Sequence, residues 1–278
     1  MTANEMEIGI EMPIPACGAA TRDGGPIVVN GLKIETIEGG EGRPLLFLHP
    51  GIGLDPKAAV LGLLAARTRL IAPSHPGFGA SDLAPSMATV DDLSYFYLDL
   101  MDALDLRDTI VVGVGFGAWI GAAVAVKSTA RMSHLVMANA VGIKVGDRET
   151  RDIVDIFAML DPDLNKLAYF DATVGERDYK AMPVAEVAIA ARNRESLGRF
   201  AWQPYMHDPK LKGRLHRIRI PTLFLWGTHD RVLSEGYGRA YCAAIPDARF
   251  EAIDKAGHFP HIEQPQVFAD RVLAFAGA

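Results

Sequence analysis

Two side chains suited to proton transfer stand late in the chain, each just behind a short apolar run. Asp230 closes Gly227-Thr228-His229-Asp230, and His258 sits in Ala256-Gly257-His258-Phe259-Pro260. A carboxylate that orients an imidazole, and an imidazole that takes up a proton, are the working parts of general acid–base catalysis. Either residue alone would read as a surface or capping side chain. Ahead of them, Gly113-Val114-Gly115-Phe116-Gly117 joins an apolar run to a stretch of small apolar residues. Glycines at 113 and 117 suit a turn that brings two backbones together. Gly115 at its centre has no side chain, so it cannot attack a carbonyl or form an acyl-enzyme. Cys17 and Cys242 lie elsewhere, and Ser74 and Ser81 flank a different apolar run. The eight histidines show no HExxH and no paired spacing with carboxylates, so neither a metal nor another cofactor is expected.

The elements that must position these residues alternate. The runs Leu45–Leu48, Arg69–Ala72, Thr109–Gly113, Ser133–Ala138, Thr222–Trp226 and Arg249–Ile253 read as strands, mostly without polar alternation, as in a buried parallel sheet. Asp91–Leu104, Phe116–Lys127, Glu235–Ala244 and Gln264–Phe275 read as helices between or after them. Strand–helix alternation predicts an α/β fold with a mostly parallel sheet flanked by helices. Ile27–Val29, Asn30-Gly31 and Lys33–Ile37 predict a hairpin, preceded by an irregular arm of twenty-odd residues. From about Gly146 to His216 the alternation stops. Helices are expected at Arg151–Leu160, Asp163–Tyr169 and Val184–Phe200, with prolines as punctuation. This divides the chain into a core, residues 1–145 and 217–278, and an inserted helical cap, residues 146–216.

Four motifs in this order resemble the α/β-hydrolase superfamily from about Pro26 onward. Leu48-His49-Pro50-Gly51-Ile52-Gly53 resembles its oxyanion-hole loop, and His75-Pro76-Gly77-Phe78-Gly79-Ala80-Ser81-Asp82 resembles the loop written P-G-F/Y-G-x-S. The Asp230 and His258 loops resemble its acid and histidine loops. The resemblance implies that Asp230 orients His258 and that Gly115 stands at the nucleophile position of the G-x-S-x-G elbow. It also implies an oxyanion hole built from the Phe116 N–H and the Gly51 N–H, with Ile52 as the one-residue alternative. His49 is expected to brace that loop, and His229 and His261 to be structural. A rival pattern, G-x-G-x-x-A over residues 113–118, would mark a dinucleotide site. It follows the wrong strand, and the next strand ends at Asn139-Ala140, without an acid for the ribose.

Three interpretations of Gly115 stay open. His258 and Asp230 activate water or move a proton without a serine; the protein is a non-catalytic ligand binder; or a serine hydrolase has been inactivated by substitution. Glycine relieves the backbone strain of an elbow, on the order of 1–3 kcal/mol, and the retained acid and histidine favour an enzyme. The expected partner is a small or medium, largely apolar molecule, with ester, lactone, amide and carbon–carbon cleavage all open. Ile52, Trp202 and Tyr205 are expected to line its pocket, and Arg192, Arg194, Arg199 and His207 are candidates for meeting a carboxylate. Net charge is −6 at pH 7, and no Lys/Arg block stands out, so nucleic acid and an anionic membrane surface are not expected partners. No apolar run approaches a membrane span. The opening residues lack a signal-peptide pattern, and two distant cysteines suit free thiols, so a cytoplasmic protein is expected. A homodimer is left open.

Overall fold

The computed structural model describes residues 26–147 and 149–278; the expected N-terminal arm and Cys17 lie outside them. A two-stranded hairpin, β1 (Ile27–Val29) and β2 (Leu32–Ile34), is followed by a seven-stranded sheet. Its strands are β3 (Thr36–Gly39), β4 (Pro44–Leu48), β5 (Arg69–Pro73), β6 (Thr109–Val114), β7 (Met132–Ala138), β8 (Thr222–Gly227) and β9 (Arg249–Ile253), in the order β3-β5-β4-β6-β7-β8-β9. Only β3 runs antiparallel, against β5. The run expected as one strand from Lys33 is therefore shared: β2 pairs with β1, while β3 joins the main sheet.

Alternation along the strands builds two cores. Leu45 and Phe47 face α1 (Ala59–Ala65) and the C-terminal helix α7 (Pro265–Ala276), whereas Leu46 and Leu48 face α2 (Val90–Ala103), α3 (Phe116–Ala125) and α6 (Glu235–Ala243). A capping box starts α2: the Thr89 side chain accepts the Asp92 N–H, and the Asp92 carboxylate accepts the Thr89 N–H. The order of the sheet reverses at β4, whose neighbours are β5 on one side and β6 on the other. The crevice beyond the carboxyl ends of such strands is where open α/β sheets bind ligands.

Between β7 and β8 the chain leaves the sheet and forms α4 (Asp161–Ala168), a short 3-10 turn, α5 (Val184–Ala201) and a second 3-10 turn. The helix expected at Arg151–Leu160 does not form. Ile153 instead makes an antiparallel bridge to Leu233, and Tyr205 Oη binds the Ile156 N–H and the Val154 carbonyl. Those tertiary partners take the backbone groups that an intrahelical ladder would need. Among the described residues, no helix is long and apolar enough to cross a membrane.

Candidate active site

The site is assembled from the carboxyl ends of β4, β6, β7, β8 and the loop after β9. At the end of β6 the chain turns sharply at Gly115, with φ 53° and ψ −110°, and enters α3 at once. That left-handed conformation favours glycine. A second glycine is required one residue into the helix: a Cβ at Gly117 would lie 2.1 Å from the Leu48 carbonyl oxygen. The close approach brings the start of α3 against the end of β4, beside the loop that follows it. The Phe116 N–H opens the helix and, like those of Gly51 and Ile52, has no hydrogen-bond acceptor among the described residues.

Asp230 and His258 are far apart in sequence and joined in space, with His258 Nδ1 donating to Asp230 Oδ2 at 2.8 Å. The Asp230 side chain is fully buried. Its Oδ2 also accepts from Asn139 Nδ2 at 2.7 Å, while its Oδ1 accepts the N–H groups of Val232 and Leu233 at 2.8 and 3.1 Å. Asn139 is locked in turn, because its Oδ1 accepts the Gly227 N–H. A carboxylate surrounded by donors can only accept from Nδ1, which leaves the Nε2 lone pair free. Nε2 faces the elbow: a Cβ at Gly115 would lie 3.2 Å from it, with Pro50 Cβ next at 3.8 Å.

The loop after β4 is braced from below by two buried histidines. His49 Nδ1 donates to the Pro50 carbonyl, and His49 Nε2 accepts the His75 N–H. His75 Nε2 donates to the His49 carbonyl, and His75 Nδ1 accepts from the Tyr97 hydroxyl. The rings stack 3.7 Å apart. Burial pushes the His49 pKa down to about 4 and the His75 pKa well below its ordinary value, so both are neutral, as this donor pattern requires. His261 is buried against Phe47, Phe259 and Phe268. Burial, and secondarily repulsion from His258 and His49 once these are protonated, push its pKa to about 3. His229 is bound by Thr228 Oγ1.

A cavity of about 340 Å³ opens above these groups. Gly51, Ile52, Phe116 and His258 line its inner end; Val141, Leu164, Leu197, Met206, Val232 and Phe259 line its walls. Asp161, Asn165, Arg177, Tyr179 and Arg194 add polar groups from the segment between β7 and β8. Its size and mixed lining suit a small organic ligand. Trp202 and Tyr205, expected here with Ile52, lie elsewhere. They line a second depression with Lys144, Arg151 and His207, because the Tyr205 hydroxyl is held by the backbone at Val154 and Ile156 and its ring packs against Phe157 and Trp202. Trp202 is 57% exposed. Arg192 and Arg199 are also occupied, donating to the carbonyls of Gly79 and Ser81 and of Met87 and Pro85. Of the four candidate cationic residues, only Arg194 reaches the cavity.

Three residues outside the recognised motifs complete the surroundings. Asn139 steadies the acid. Glu263 accepts the Gly257 N–H beside His258, and its other oxygen accepts the N–H groups of Phe170 and Asp171 in the insert. Asn193 on α5 touches the loop after β4. The one signal available was the position of Asn139 at a strand's carboxyl end. Among the described residues, no group of three or more His, Cys, Asp or Glu is placed to hold a metal ion.

Residues 45–271 match the sequence profile of the alpha/beta hydrolase family. The chain is 26% identical to 2-hydroxy-6-oxo-6-(2'-aminophenyl)hexa-2,4-dienoic acid hydrolase of Metapseudomonas resinovorans, over 88% of each chain. It is 24% identical to a 2-hydroxymuconate semialdehyde hydrolase of a Pseudomonas species, over 91% of this chain and 93% of that one. Among solved structures, a variant meta-cleavage product hydrolase from Pseudomonas fluorescens superposes with a TM-score of 0.72 at 20% identity, covering 90% of this chain and 96% of the other. An enol-lactonase from Burkholderia xenovorans gives a TM-score of 0.71 at 22% identity, covering 90% and 98%. The sequence relatives are named hydrolases, which supports hydrolysis as the class of chemistry.

Proposed function

The chain belongs to the alpha/beta hydrolase family, and on that premise we propose that it hydrolyses a small or medium, largely apolar carbonyl compound without a serine nucleophile. The favoured class is the one named in its relatives, 2-hydroxy-6-oxo-dienoic acids and related semialdehydes; simple esters and lactones are poorer candidates. One observation carries the reading. His258 Nε2 faces the bare Gly115, while its Nδ1 is tied to a buried, fully engaged carboxylate. In this reading water stands beside Nε2 where a serine hydroxyl would otherwise be. His258 takes the proton as the water oxygen bonds to the carbonyl carbon, and the Phe116 N–H with that of Gly51 or Ile52 receives the charge on the carbonyl oxygen. The bond to the leaving group then breaks, and His258 returns the proton to it. Residues 146–216 act as the cap over this site, in a soluble cytoplasmic protein.

His258→Ala is expected to lower turnover about 10²- to 10⁴-fold. Gly115→Ser is expected to raise hydrolysis of 4-nitrophenyl acetate, a gain abolished by adding His258→Ala. Binding without turnover is the second reading, favoured by the missing hydroxyl at Gly115. It prevails if His258→Ala leaves every native activity and ligand affinity untouched. A folded Gly115→Ser variant without any gain on several esters would mean that the elbow is not a triad position short of one oxygen.

A further inference from the structure

We propose that Asn193, on helix α5 of the insert, is a positioning residue that sets the conformation of the oxyanion loop after β4. The inference rests on the reading that N–H groups of this loop receive the negative charge of the reaction. Asn193 is buried. Its Nδ2 donates to the Ile52 carbonyl at 3.2 Å, and its Oδ1 accepts the Gly79 N–H at 2.8 Å. One amide therefore ties together the loop after β4 and the loop after β5, from a segment that belongs to neither.

The peptide between Ile52 and Gly53 is held at both ends. The Ile52 carbonyl is held by Asn193, and the Gly53 N–H donates to the Pro50 carbonyl at 3.0 Å. The Pro50 carbonyl is itself fixed by His49 Nδ1 at 2.7 Å. The adjoining N–H groups of Gly51 and Ile52 are left without an internal acceptor among the described residues, and both residues line the cavity beside His258. His49 thus holds the loop from the core side and Asn193 from the insert side. Without the Asn193 strap the peptide of the Ile52 carbonyl and the Gly53 N–H is held at one end only. The rotations at Ile52 that tilt it also re-aim the preceding peptide, which carries the Ile52 N–H, and a carbonyl oxygen turned near the reacting carbon would repel the developing charge. A preorganised donor of this kind acts mainly on the transition state.

Neighbouring contacts make this a property of α5 as a whole. Ser196 Oγ donates to the Gly77 carbonyl at 2.7 Å, and Leu197, one turn after Asn193, lines the cavity beside Gly51. Docking of α5 and the shape of the oxyanion loop are one event.

Asn193→Asp separates the two bonds. It preserves size and the acceptor for the Gly79 N–H but turns an oxygen toward the Ile52 carbonyl. Asn193→Ala removes both bonds. On 4-nitrophenyl acetate, kcat is expected to fall about ten- to a hundred-fold in each, with KM changing less than about threefold, somewhat below the loss of a direct oxyanion donor. Affinity for butylphosphonate, a stable anionic mimic of the tetrahedral state, should fall in parallel, with the thermal midpoint of Asn193→Asp near that of the unmodified protein. An Asn193→Asp variant with unchanged kcat and unchanged phosphonate affinity would overturn the proposal, as would a loss confined to KM. His258→Ala run in parallel separates this from the reading beneath it. If turnover in the unmodified protein does not depend on His258, the hydrolytic reading fails, and phosphonate affinity alone decides the role of Asn193.

Discussion

The two halves of the site are held by different means. At the histidine half, side chains do the positioning: Asp230 accepts four hydrogen bonds, Asn139 is fixed from both ends of its amide, and Glu263 ties the His258 loop to the insert. At the elbow half, backbone does it: a left-handed turn at Gly115, an approach at Gly117 that leaves no room for a Cβ, and a loop braced through carbonyls and N–H groups. The first half keeps its chemistry only while particular side chains are present. The second is built from backbone and uses no side chain at residue 115. The rest of the site therefore does not depend on a hydroxyl at residue 115.

Asp230→Asn should test the side-chain half hardest. The amide oxygen would stay with the Val232 and Leu233 N–H groups, and the amide nitrogen would face His258 Nδ1, forcing the proton to Nε2. The general base is then lost with little change in shape. A comparable change in a serine protease costs about 10⁴ in kcat, and a fall of about 10³-fold or more in kcat/KM is expected here, with the thermal midpoint lowered only by the new amide nitrogen facing the Asn139 donor. Full activity in this variant would remove the acid–base pair from the mechanism.

Gly117→Ala should test the backbone half by the opposite signature. A methyl group 2.1 Å from the Leu48 carbonyl forces α3 and β4 apart. About 3 kcal/mol of stability should be lost in urea unfolding, with the m-value unchanged. An alanine tolerated at this position would mean that the contact between elbow and loop is loose.

The smallest effect of any single group comes from a neutral histidine beneath the loop. His49 has a folded-state pKa of about 4 against an ordinary value of 6.5, so on acidification the unfolded chain takes up the proton first. Its contribution is complete above pH 6.5 and is lost as the pH falls toward 4, roughly 2 kcal/mol by pH 5. His261, at about 3, adds in the same direction. Stability measured at pH 7 and pH 5 should fall accordingly, and equal stability at both would mean that these rings titrate as if exposed.

What could be read from the sequence divides along the same line. Strands such as Thr109–Val114 and Thr222–Gly227 are buried at every position, so their apolar runs were unmistakable, and the turn, acid and histidine follow directly behind strands. Helix α1 was not foreseen: Ala59–Ala65 lacks a capping side chain and an acidic first turn. The helix expected at Arg151–Leu160 had the right pattern but lost its backbone groups to Leu233 and Tyr205. Asn139 and Asn193 act through partners 91 and 141 residues away, and no local spacing carries that information. The apolar rings of Trp202 and Tyr205 suit a pocket wall, but residue type says nothing about the direction in which a side chain between β7 and β8 faces.

The elbow at Gly115 also has a genetic reading. Serine codons AGU and AGC differ by a single base from glycine codons GGU and GGC. The backbone at φ 53° is already bent as a side-chain-bearing elbow would need, and a Cβ placed there meets His258 Nε2 rather than a wall of protein. Where Gly115 is encoded by GGU or GGC, one transition mutation would place a serine hydroxyl beside His258. The side chain would cost only the backbone strain of a positive φ, on the order of 1–3 kcal/mol.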